Sequence, residues 1–335
     1  DGGWLTAILA IEKEDLESAL GYVTAGLRQA PNHPHAGLLA ARINAEMGRY
    51  AESLSILERL ITRQPSNLKV RIARNRVRIE ARKRPDEAYG QLEEIQSNPG
   101  LTLIPQHRAE IFEARGLAAR LRGELSIAEN FYRSAILALP GNVRFVEPLA
   151  ELLLQQFRLD DAKKIISEQG LAKRDVVELL ARIKLLKGRP AEARSLIQST
   201  IGLTPTRNRI LGRAAMEQAV FAGLDSPESS EWLSYAVDRL GMSVKQDSRS
   251  RASQILLSLG QALRHPKDNQ YLKALKGFRR QPAEMPSHVS NAGLPFWAYG
   301  LALLERGRLR SATREFNNAI ELNERDYAAH FALCR

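Results

Sequence analysis

The sequence predicts an all-α protein built from stacked antiparallel helix pairs, and three observations carry that prediction. The 335 residues are rich in Ala, Leu and Arg, with only 6% aromatics, and no Val/Ile/Thr-rich run alternates at period two, so helices and not strands are favoured. Pro31, Pro65 and Pro99 are spaced 34 residues apart, the mark of a repeating unit. The stretch Ala109–Asn142 reads as helix, turn, helix. In it, Gly116, Ala128 and Ala135 are small where two backbones must approach. Phe112 and Tyr132 fill the space between them, Gly123 ends the first helix and Pro140 stops the second.

The other elements follow from the same register. Residues 3–30 give a first pair, with Ala19, Val23, Gly26 and Pro31 at the offsets of Ala128, Tyr132, Ala135 and Pro140. Residues 34–65 give a second, marked by Ala41, Gly48, Tyr50, Ser53, Leu57 and Pro65, and residues 66–99 a looser third. The segment 100–108 is an insertion before the unit at 109–142. A unit over 143–172 follows, with Ala162 34 residues after Ala128 and Phe157 standing where the turn glycine is expected. Gly188, Ala193, Ile197 and Pro205 mark the next. Residues 207–223 and 227–241 form a longer pair broken at Asp225-Ser226-Pro227, where Ser226 suits a cap and Pro227 a first helical position. Residues 249–264 and 267–280 form another pair, 281–292 is a flexible joint, and a clear unit returns at 293–324 with Phe296, Gly300, Gly307, Ala312, Phe316 and Ala319 in register. Asp326–Arg335 begins a further first helix. Both ends read as boundaries of a fragment of a larger protein.

This recurring pattern resembles the tetratricopeptide repeat, a 34-residue helix-turn-helix unit. The organisation expected is a repeat array of about six helix pairs over 1–205, degenerate repeat-like pairs over 206–292, and one unit plus the start of a helix over 293–335. The resemblance implies an α-solenoid coiled into a right-handed superhelix. Each unit buries its apolar stripe on the next, first helices line a concave groove, and a partner protein lies there as an extended peptide or a helix. By register the groove positions include His35, Leu38, Arg42 and Glu46; Glu110, Glu113, Leu117 and Arg120; Glu147 and Glu151; Asp175, Glu178 and Arg182; and Trp297, Leu301 and Leu304. The Lys/Arg/Asn set with which chaperone-type members hold a terminal carboxylate is absent: Leu38, Arg42, Glu113, Leu117, Glu147 and Glu151 stand at those positions.

The formal charge is +11, with Arg outnumbering Lys, which favours acidic partners or anionic surfaces. Two charge features stand out against it. Glu113, Glu147, Glu151 and Glu178 predict an acidic groove in the middle units, suited to Lys or Arg of a partner. Lys69–Arg84, KVRIARNRVRIEARKR, predicts an amphipathic helix with Val70, Ala73, Val77 and Ala81 on one face. Its cationic surface carries Arg71, Arg74, Arg78 and Arg82 and suits an acidic segment, phosphate or an anionic surface.

Nothing in the sequence reads as catalytic. No GxxxxGK[ST], GxGxxG, HExxH or GxSxG motif occurs, Cys334 is the one cysteine, and the nearby pair His33 and His35 sits in an inter-helix turn. No cofactor, metal or small-molecule substrate is expected. No run of 18 apolar residues and no signal peptide is visible, so a membrane link would run only through segments outside this chain, in a periplasmic or cytoplasmic setting. The expected function is a non-catalytic scaffold for protein binding, of bacterial type by its Arg-rich composition, in assembly of an envelope, secretion or exopolysaccharide-export complex. Two other classes stay open: a nucleic-acid or anionic-polymer binder using residues 69–84, and the targeting portion of an enzyme.

Overall fold

The computed structural model describes residues 2–30, 33–279, 293–322 and 333. Pro31, the 281–292 joint and the stretch expected to begin a further helix at Asp326–Arg335, Cys334 included and Leu333 excepted, lie outside that description. The described residues form eighteen α-helices and no strand, and none of the helices is long and apolar enough to cross a membrane. In chain order the pairs are α1 (Gly2–Glu12) with α2 (Leu16–Gln29), α3 (Pro34–Glu46) with α4 (Tyr50–Arg63), α5 (Leu68–Glu80) with α6 (Pro85–Ser97), and α7 (Pro105–Leu121) with α8 (Leu125–Ala138). They continue as α9 (Val143–Gln155) with α10 (Leu159–Glu168), α11 (Lys173–Leu186) with α12 (Pro190–Gln198), α13 (Pro205–Ala222) with α14 (Pro227–Gln246), α15 (Arg251–Arg264) with α16 (Asn269–Arg279), and α17 (Leu294–Leu304) with α18 (Leu309–Leu322). The fold class is the expected one. The chain divides into two compact units, Asp1–Leu149 and Ala150–Arg335, so the division falls inside α9.

Short polar side chains start the helices. Asp15, Asn67, Thr204, Ser226 and Ser250 each accept a hydrogen bond from the backbone N–H three residues on, which satisfies a donor the helix leaves unpaired. His33 does the same with its Nδ1, 3.3 Å from the Ala36 N–H, so the NHPH turn uses this imidazole as a cap. Turns between paired helices need one left-handed residue; Gly48, Gly123, Gly188 and Gly307 supply it with φ of 67 to 79°. Phe157 takes that conformation too, with φ 57°. So do Arg82 and Arg84, with φ 53° and 50°, and here the sequence reading needs correcting: α5 stops at Glu80, and the helix does not reach Arg84.

Packing within a pair depends on the small residues. A Cβ on Gly116 would come within 2.6 Å of the buried Tyr132 ring, and one on Gly300 within 2.6 Å of Phe316. The two contacts repeat the same 16-residue offset. Phe112, expected beside Tyr132, is instead half-buried and stacks on Phe131 at 6.4 Å between centroids. In the first unit the core runs through clusters around Ala19 and Ile43, Leu57 and Val70, and Ile72, Leu92 and Ile111. In the second, one cluster spans Val177 to Ala214, and a larger one joins α13–α18 from Ala215 to Ala319.

Candidate functional site

Within each unit, ion pairs join side chains of successive first helices. In the first unit, Arg76 of α5 donates from Nε to Glu113 Oε2 of α7 at 2.9 Å and pairs with Glu80 on its own helix at 3.0 Å. Glu110 of α7 accepts from Arg144 of α9 at 3.2 Å and from Gln106 at 2.7 Å. Arg42 and Glu46, both exposed, pair along α3 at 2.7 Å. In the second unit, Arg182 of α11 grips the Glu151 carboxylate of α9 with both terminal nitrogens, Nη2 lying 2.9 Å from Oε2. Arg207 of α13 reaches Glu178 of α11 at 2.9 Å and also donates to the carbonyls of Ile201 and Gly202.

The electrostatics follow from this crowding. Burial pushes the Glu80 carboxyl up, Arg76 opposes it, and the nearby Glu113 and Glu46 add to the rise. Burial works against the charge of Arg76, but Glu113 and Glu80 hold its pKa above the ordinary value. The Tyr132 hydroxyl is pushed up by burial, with Arg120 pulling the other way. Arg120 is itself 7% exposed, and its Nε and Nη2 have no hydrogen-bond partner among the described residues.

Three expectations change on this geometry. The four glutamates are not an unpaired acidic wall: Glu113 in the first unit and Glu151 and Glu178 in the second each hold an arginine from the adjoining first helix, and Glu147 alone of the four is exposed. Trp297 is 5% exposed and Leu301 1%, so both belong to the core cluster and not to an open face. The cationic helix is largely spent on internal contacts. Arg74 and Arg78 both pair with Glu58 of α4, Arg78 also with Glu87 of α6, and Arg74 donates to Gln91 at 2.9 Å. Arg71 stays half-buried, and Arg82 is exposed beyond the helix end.

The sequence reading also missed a seam on the other side of this repeat. Arg115 is 8% exposed and lies 4.7 Å from the Tyr89 ring centroid and 4.6 Å from that of Phe131, while donating to Tyr89 Oη, Glu93 and Gln96. An arginine at a buried first-helix position between two aromatic-bearing second helices is the signal that would have found it.

The helix pairs, turn glycines and 34-residue register are those of a known repeat, and the tetratricopeptide-repeat family profile matches residues 10–77. Residues 10–77 are thus tetratricopeptide repeat in sequence as well as in fold. Solved tetratricopeptide-type structures resemble it at the level of the fold. A chain of the APC/C hetero-tetramer Cut9–Hcn1 aligns with a TM-score of 0.55 at 14% identity, over 95% of this chain, which spans 58% of that one. The human IFIT1 dimer solved with m7Gppp-AAAA aligns with a TM-score of 0.57 at 15% identity, over 98% of this chain and 78% of that one. No curated protein matches the sequence.

Proposed function

We propose that this tetratricopeptide-repeat chain is a non-catalytic scaffold that holds a segment of another protein, as a peptide or a helix, against its first-helix face. The observation that supports the reading is the cross-helix wiring of that face. The pairs of Arg76 with Glu113, Arg144 with Glu110, Arg182 with Glu151 and Arg207 with Glu178 fix long side chains before any partner arrives, which lowers the ordering cost of binding. Exposed groups on the first helices, Arg42 and Glu46 of α3, Glu147 of α9 and Asp175 of α11, are then the contact positions, with both signs of charge. A partner segment carrying both signs fits this face better than a purely basic one.

The setting we propose is assembly of a bacterial envelope, secretion or exopolysaccharide-export complex, a reading that rests on the Arg-rich composition. The test is affinity capture from the native organism with wild type, Arg42→Glu and Glu147→Lys as baits. The reading expects one protein retained by wild type and lost from both variants, with their helical spectra unchanged. Equal retention by all three baits contradicts it. The second reading, anionic-polymer binding at residues 69–84, keeps support only from its exposed cations Lys69, Arg82, Lys83 and Arg84. It requires binding that collapses as salt rises.

A further inference from the structure

A cluster of exposed cations lies at the edge formed by two inter-helix turns of the second unit. The α15–α16 turn carries Arg264 and Lys267, and the α17–α18 turn carries Arg308 and Arg310; all four are exposed. None of the four has an ion pair among the described residues, whereas Arg76, Arg78, Arg182 and Arg207 all do. The two turns are tied together: Arg306 donates from Nη2 to the Asp268 carbonyl at 2.8 Å and from Nη1 to the Ala302 carbonyl at 3.0 Å. Burial and the adjacent Arg308 both depress the pKa of Arg306, a sign of how closely like charges sit here. Two acids share these turns, Asp268, which opposes Arg308 in its effect on Arg306, and Glu305; against Arg264, Lys267, Arg306, Arg308 and Arg310 they leave the cations in excess.

The edge has one apolar point. Leu309, between Arg308 and Arg310 at the start of α18, is 62% exposed. A nucleic-acid strand gains from aromatic faces on which bases stack. The aromatic rings nearest in sequence, the exposed His265 and the half-buried Tyr271, stack on each other at 6.3 Å between centroids, so that each already covers a face of the other. A leucine set among cations matches a different surface. At a lipid interface the cations meet headgroup phosphates while the side chain enters the acyl boundary.

We propose that the edge formed by Arg264, Lys267, Arg308, Leu309 and Arg310 is a peripheral contact for an anionic phospholipid surface. It acts whether or not the protein-binding reading holds. Each exposed cation near such a surface strengthens binding by about fivefold, so the contact is weak alone and steeply salt-dependent.

The test is co-sedimentation of the full chain with phosphatidylglycerol–phosphatidylcholine vesicles and with phosphatidylcholine vesicles, at low and raised salt. Alongside it, fluorescence anisotropy is measured with a single-stranded oligonucleotide. Wild type should bind only the anionic vesicles and release them at raised salt. Arg308→Glu with Arg310→Glu should weaken that binding by more than about 25-fold, and Leu309→Ala by a smaller factor. Lys163→Glu with Lys173→Glu, an equal charge change at exposed sites elsewhere, should leave binding near wild type. Equal loss in both double variants would overturn the proposal, because it would show a response to net charge alone. So would the absence of vesicle binding, or tighter binding to the oligonucleotide than to the vesicles.

Discussion

Arg82 shows what one residue costs a repeat. It occupies the slot that Gly48, Gly123, Gly188 and Gly307 fill in other pairs, and takes φ 53°. A left-handed L-residue carries a penalty of about 1 kcal/mol that glycine does not. Arg82→Gly should therefore raise stability by about 0.5–1 kcal/mol, read as a higher midpoint in urea. The reverse sign is expected at Gly116. A methyl there would meet the Tyr132 ring at 2.6 Å, and that ring is buried with nowhere to move. Gly116→Ala should destabilise by about 1–3 kcal/mol through overpacking, measured the same way.

At the scale of the helix the network around Arg76 sets two outcomes. Glu113 is almost fully buried and is one of two carboxylates on Arg76, so Glu113→Ala leaves a half-buried guanidinium paired with Glu80 alone. The cost should be about 2 kcal/mol. Arg84→Ala, which breaks an exposed pair with Glu87, should cost under about 0.5 kcal/mol. The second outcome depends on pH. Glu80 has its folded pKa raised above the ordinary 4.5, so the folded state keeps its proton where the unfolded state has lost it. The stability that Glu80 contributes is then present below 4.5 and lost as pH rises through the raised folded value. Urea midpoints across that window should fall more steeply with pH in wild type than in Glu80→Gln. Equal slopes would contradict the assignment.

These elements also mark what the sequence could disclose. Helix pairs, caps such as Ser226 and the close approach at Gly116 are local, so the 34-residue register locates them. The ion-pair ladder joins residues 29 to 37 apart, and no count of charges along one helix reveals its partners on the next. That is why Glu113, Glu151 and Glu178 read as an acidic wall. Trp297 was misplaced for a related reason: register assigns a position on a helix, but burial depends on α13–α18 packing into one cluster. The end of α5 escaped because Arg82 and Arg84 carry no glycine-like signal.

For the molecule as a whole, the account assigns separate surfaces separate roles. A prewired polar face on the first helices meets a protein, and the cationic edge of the second unit meets lipid phosphate. The central claim is the first. It is tested most directly by photo-crosslinking in the native organism, with a photoreactive residue placed at Arg42 or Glu147 on first helices, or at Glu52 or Leu137 on the exposed sides of second helices. The account predicts that Arg42 and Glu147 crosslink to the same protein and that Glu52 and Leu137 do not. Crosslinks to that protein from Glu52 and Leu137, with none from Arg42 or Glu147, would contradict it.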